Sequence, residues 1–216
     1  MLAQLDLQLA GARGQHPTAA HRAALTQPQA LKGLGGIGKT QIALEYAYRA
    51  CERGCYLRIL WINTASEEAL ISRFVGLADL LPALSAERQV PQHRRVEAVK
   101  RWLGQCPEPW LLIFDNADDI SLLRRYLPRR GNGSVLLTTR SHAIGALATA
   151  LAVERTGLVE GTLLLLRRAR RQEASEDKRN EAANIVIALD GFPLALDQAG
   201  AYIEETGCSF TDYLQV

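Results

Sequence analysis

The stretch Gly33-Leu34-Gly35-Gly36-Ile37-Gly38-Lys39-Thr40 decides the fold of this chain. It satisfies G-x-x-x-x-G-K-[ST], and its flanks are those the pattern requires. A short strand is expected over Gln29 to Lys32, and a helix over Gln41 to Arg53 with Ile42, Ala43, Tyr46, Ala47 and Ala50 on one face. The glycines let the backbone turn tightly, so that successive N–H groups converge on phosphate oxygens, and the following helix adds its positive end. A flexible glycine-rich turn is the competing reading, but every position of the motif and both flanking elements agree with a phosphate cradle. On that reading Gly33, Gly35, Gly36, Ile37, Gly38, Lys39, Thr40 and Gln41 line a nucleotide. Lys39 reaches the β- and γ-phosphates as a mobile point charge, and the Thr40 hydroxyl is a magnesium ligand.

Working outward, Tyr56 to Asn63 reads as a second strand, and Thr64 with Glu67 as a capping box opening a helix through Leu80. A helix over Val96 to Leu103 leads into Trp110-Leu-Leu-Ile-Phe114, a continuous apolar run of the kind found in a strand buried on both faces. Asp115 ends that run and is the second magnesium-side acid, where an Asx turn is the plainer alternative. Asn116 stands where many ATPases carry an acid that orients the attacking water, and an amide accepts no proton. Asp118 and Asp119 either replace it or cap a helix starting near Ile120. SVLLTT, from Ser134, is another strand, with Thr138 and Thr139 ordinary at its end. Arg140 follows it, outside the carboxyl ends of the strands where ligands of open α/β sheets lie, and is a candidate contact for the γ-phosphate.

Residues 143 to 150 read as helix, Leu151 to Glu154 as an edge strand, and everything after about Val159 as helix alone, with Leu163 to Leu166 facing inward. The fold expected is therefore α/β: a parallel sheet with helices on both faces, followed by a small all-helical subdomain. The divisions are a divergent or truncated N-terminal segment at 1–28, a nucleotide-binding domain at 29–158 and the helical subdomain at 159–216.

Composition narrows the function. The 216 residues are 48% apolar and 22% charged, as in folded proteins, and a net charge of +2 predicts no broad nucleic-acid field. No apolar run nears the roughly 18 to 20 residues that cross a bilayer, so a cytoplasmic protein without membrane contact is expected. Cys51, Cys55, Cys106 and Cys208 lack metal-ligand spacing, and His16, His21, His93 and His142 are scattered. The basic run Arg167, Arg168, Arg170 and Arg171 reads as a solvated helix face balanced by Glu173, Glu176 and Asp177, so nucleic acid is not expected as a partner.

Four ordered segments, GLGGIGKTQIALEYAYR from Gly33, WLLIFDNADD from Trp110, GSVLLTTR from Gly133 and GFPLALDQAGAYIEETG from Gly191, resemble the NB-ARC family of STAND-class P-loop ATPases. The likeness is closest to bacterial members associated with tetratricopeptide repeats. The resemblance implies that Lys39 and Thr40 hold phosphate and magnesium, and that Asp115 is the metal-side acid. It makes Arg140 the sensor of the γ-phosphate. Pro193, in a G-F-P-L version of the family's G-L-P-L motif, would touch the adenine and ribose side from the helical ARC unit. It further implies a signalling switch that holds ADP at rest and ATP when open, hydrolyses ATP slowly with Mg²⁺, and forms a homo-oligomer in the ATP state. A winged-helix domain, sensor repeats and an effector domain are expected outside this chain. The family's adenine-clamping h-h-G-R-E segment has no counterpart in residues 1–28. Read from residues alone, a self-contained P-loop ATPase or kinase, and a nucleotide-binding scaffold without hydrolysis, remain as alternatives.

Overall fold

The computed structural model describes residues 1–10, 29–141, 144 and 147–215. His16, His21, His142 and, within the helix expected over 143–150, residues 143, 145 and 146 lie outside the described residues. The described residues gather into two compact units, one holding residues up to Gly33 together with Lys39–Ala152, the other Leu34–Gly38 together with Val153 onward.

The first unit is built around five parallel strands, β1 (Gln29–Lys32), β2 (Arg58–Asn63), β3 (Trp110–Asp115), β4 (Gly133–Thr139) and β5 (Thr149–Ala152), in the order β2-β3-β4-β1-β5. Its helices are α1 (Leu2–Ala10), α2 (Lys39–Glu52), α3 (Glu67–Leu80), α4 (Gln92–Gln105) and α5 (Ile120–Tyr126), with a 3-10 turn over Pro82–Gln89. Every residue of β3 is buried, as the apolar run requires. Successive side chains of a strand point to opposite faces. Trp110, Leu112 and Phe114 accordingly join Leu70, Phe74, Val99 and Leu103 of α3 and α4 in one core, while α2 packs on β1, β3 and β4 from the other side. Each of these fully buried side chains contributes on the order of 1.5–3 kcal/mol.

Two local expectations change. Thr149 and Ala150 are strand because they complete the ladder with Gln29 and Ala30, so the edge strand starts before Leu151. The cap of α3 is Ser66, whose hydroxyl accepts from the Ala69 N–H at 3.1 Å, rather than Thr64. Thr64 is buried, and its hydroxyl is committed to the Asp115 carbonyl at 2.8 Å, which leaves capping to the exposed serine.

The second unit contains α6 (Leu158–Arg168), α7 (Glu176–Ala188), α8 (Pro193–Thr206) and α9 (Phe210–Tyr213), around Leu165, Leu166, Ala182, Ile185, Ala199, Ile203 and Phe210. Leu163 turns out to be exposed, since α6 inserts only the face carrying Leu165 and Leu166. Three arginines of the basic run are paired, though not with the acids that follow it in sequence. Arg168 bridges Asp197 and Glu204, Arg170 reaches Glu204 at 2.6 Å, and Arg171 donates to the Gly207 and Cys208 carbonyls while lying over the Phe210 ring. Among the described residues no helix is long and apolar enough to cross a membrane.

Candidate functional site

The loop between β1 and α2 carries left-handed backbone at Gly36 (φ +76°) and Gly38 (φ +95°), conformations open to glycine at little cost. At Gly38 nothing lies within 4 Å of the place a Cβ would occupy. Lys39 is buried at the start of α2, and its ammonium donates to the Gly33 carbonyl at 2.8 Å, curling the side chain back over the loop. Burial pushes the Lys39 pKa down and the Arg140 charge adds to this, while Asp118 and Asp115 oppose it. The site thus presents cationic charge in a poorly solvated position. Ile37 is buried, whereas Gly35, Thr40 and Gln41 are exposed.

At the ends of the central strands, Asp115 is buried and its Oδ1 accepts from the Thr40 hydroxyl at 2.8 Å and from the Thr138 hydroxyl. The Thr138 oxygen in turn accepts the Asn116 N–H at 3.0 Å, and the Asp115 carbonyl accepts both the N–H and the hydroxyl of Thr64. The ends of β2 and β4 and the start of α2 are all tied to this one carboxylate residue. Thr138 belongs to the site although strand-end threonines look ordinary in sequence; the signal that would have found it is the pairing of β4 beside β3, with Leu137 opposite Phe114. Thr138→Val removes a donor to the buried carboxylate and orphans the Asn116 N–H. A loss of about 1–3 kcal/mol in stability is expected, read from the urea midpoint; an unchanged midpoint would disprove this bonding.

Asn116 has φ +60°, left-handed backbone that Asn tolerates better than most residues, and this kink carries the chain across the end of β4. Ala117 donates to the Thr138 carbonyl at 2.8 Å, and Asp118 arrives beside Arg140. There Asp118 Oδ1 accepts from the Arg140 N–H at 2.7 Å and the Thr139 hydroxyl at 3.2 Å, while Oδ2 takes Nε at 2.7 Å and Nη2 at 2.6 Å of the same arginine. Burial works to raise the Asp118 pKa, but the Arg140 backbone and guanidinium and the Thr139 hydroxyl outweigh it and hold the carboxyl below its ordinary value. Asp119 is spent as the α5 cap, accepting from the Leu122 N–H at 2.9 Å. A polar groove of about 620 Å³ opens beside these groups, lined by Thr64, Ser66, Asn116, Asp118, Arg125 and Arg140 among others.

The structure thus brings Lys39, Thr40, Asp115, Asn116 and Arg140 together in the sheet unit. Pro193 lies in the helical unit as the first residue of α8, and its neighbours Phe192 and Leu194 pack against Gly36 of the loop.

The NB-ARC domain model matches residues 25–160. The chain belongs to the NB-ARC family. It is 28% identical over 212 residues to a nucleotide-binding leucine-rich repeat (NLR)-like protein of Hyaloscypha variabilis, covering 88% of this chain and 21% of that protein. The NB-ARC chain therefore spans about a fifth of that relative's length. The backbone is also similar to Cdc6p from Pyrobaculum aerophilum, with a TM-score of 0.62 at 18% identity over 95% of this chain and 62% of that one. A STAND protein with a tetratricopeptide repeat sensor from Pyrococcus horikoshii gives a TM-score of 0.50 at 19% identity, covering 79% of this chain and 27% of that one. Family and fold together make this an NB-ARC nucleotide-binding domain on a P-loop NTPase sheet.

Proposed function

We propose that this NB-ARC domain is an adenine-nucleotide switch that binds ADP and ATP with Mg²⁺ and hydrolyses ATP slowly. The observation that carries the reading is the meeting of the phosphate loop with Asp115 through the Thr40 hydroxyl at 2.8 Å. A hydroxyl and a carboxylate side by side form the hard-oxygen set that suits magnesium, and the space over Gly38 leaves room for phosphate. Thr40 and Asp115 would hold the ion, which supplies charge neutralisation to the β- and γ-phosphates. Lys39 binds the same phosphates, Gly33, Gly35, Gly36, Ile37, Gly38 and Gln41 line the cradle, and Arg140 senses the γ-phosphate. The sequence carries no N-K-x-D segment that would select guanine.

Slow turnover follows from the acids. Asn116 accepts no proton, Asp119 is committed to its cap, and Asp118 has a donor on each of its roughly four lone-pair sites. Of the residues that follow β3, none is left as a carboxylate to activate water, so positioning and charge neutralisation carry the catalysis. The same observation favours the scaffold without hydrolysis as the second reading. The nucleotide exchange would set a homo-oligomer in the full-length protein, with sensor repeats and an effector supplied by segments outside this chain. Such a protein acts in the cytoplasm in signal transduction.

A thermal scan tests the binding reading. ADP at 100 times its Kd should stabilise the chain by about 2.7 kcal/mol, a rise of roughly 5–10 °C, with ATP comparable and GTP weaker. No shift with any of the three refutes nucleotide binding here. Single-turnover hydrolysis then separates the readings: turnover in minutes to hours supports the switch, many events per second a self-contained enzyme, and none over hours the scaffold.

A further inference from the structure

We propose that Asp118 is the positioning residue of Arg140, fixing its guanidinium so that the edge turned away from Asp118 meets the γ-phosphate. The inference rests on the sensor reading of Arg140 given above. The carboxylate grips this arginine twice, since Oδ1 takes the backbone N–H of Arg140 and Oδ2 takes Nε and Nη2 of its side chain. A clamp that joins the two ends of one residue selects its rotamer. The Arg140 side chain is otherwise 68% exposed, so an unclamped guanidinium would sample many rotamers on the surface.

The division of donors favours positioning over competition. Arginine has five N–H donors in a planar fork, and Asp118 uses the Nε hydrogen and one on Nη2. The other Nη2 hydrogen and both on Nη1 are left by Asp118, enough to bind a phosphoryl oxygen while the clamp stays closed. Asp118 itself is placed by the left-handed turn at Asn116 and by the Ala117 bond to the Thr138 carbonyl, so the turn that follows the magnesium-side acid also orients the sensor. A general-base role for Asp118 is disfavoured because both of its oxygens already carry two donors.

Nucleotide titrations of the 216-residue chain and of Asp118→Ala, Arg140→Ala and the double variant test this. The expected result is that Asp118→Ala weakens ATP about tenfold while ADP stays within about twofold, and that the double variant binds ATP no more weakly than Arg140→Ala alone. Asp118→Asn, which keeps the shape and loses the charge, gives an intermediate loss and serves if the alanine variant melts early. Additive losses in the double variant, equal loss of ATP and ADP, or tighter ATP binding in Asp118→Ala each overturn the proposal. Arg140→Ala failing to disfavour ATP over ADP would defeat the sensor reading itself. That outcome is read from a single variant and is distinct from failure of the clamp.

Discussion

Lys39→Ala is expected to abolish the rise in Tm that ADP or ATP produces, while leaving the ligand-free Tm within about 2 °C. The asymmetry comes from where the lysine sits. Its ammonium is poorly solvated at the head of α2, where burial pushes its pKa down and Asp118 and Asp115 only oppose that cost, so keeping the charge there is unfavourable in the ligand-free protein. Truncation gives up the bond to the Gly33 carbonyl, worth about 1 kcal/mol, and relieves a desolvation cost of similar size. With phosphate present the balance reverses, because hydrogen bonds to charged groups are worth about 1.5–3 kcal/mol each and Lys39 would make at least two. The loss in affinity is then about 100-fold or more. Differential scanning calorimetry with and without ADP reads both quantities in one experiment. A variant that keeps the full ligand shift would remove Lys39 from the cradle and count against the phosphate role of the loop.

The loop between β1 and α2 was legible because its motif is local: eight consecutive residues specify the turn and put Lys39 and Thr40 at the head of the helix. The run from Trp110 to Phe114 was equally plain, since only a strand covered on both faces tolerates such continuous apolar character. What the sequence hid depends on which strands are neighbours. Nothing in SVLLTTR says that this strand lies next to β3, and only that adjacency puts the Thr138 hydroxyl on Asp115 and Arg140 on Asp118. The same gap explains the cap of α3. Thr64 and Glu67 have capping-box spacing, but the adjacency of β2 and β3 draws the Thr64 hydroxyl to the Asp115 carbonyl, and Ser66 takes over the cap. Long-range hydrogen bonds outcompete a local pattern wherever the polar group is buried, because an unpaired buried partner costs more than a lost cap.

The loop's second structural duty sets the other large effect, expected for Gly36→Ala. At φ +76° an alanine pays about 1–2 kcal/mol for left-handed backbone, and its Cβ would stand 2.9 Å from the Cβ and 2.8 Å from the Cδ2 of Leu194. The Cδ2 can swing away, but the Leu194 Cβ is fixed to the first turn of α8, so loop or helix must move. Overpacking of this kind costs about 1–3 kcal/mol, which brings the total to roughly 2–5 kcal/mol. Urea unfolding should show it as a lowered midpoint, and ADP titration as weakened binding if the loop cradles phosphate as proposed, because the residue that packs against α8 lies in that loop. The backbone part and the packing part can be told apart. Leu194→Ala in the Gly36→Ala background should return the Cδ2 share of the packing loss and none of the left-handed penalty, giving a favourable coupling of about 1 kcal/mol in a double-mutant cycle. Strict additivity would mean that loop and helix do not press on each other at this point, and a Gly36→Ala midpoint equal to wild type would rule out both contributions.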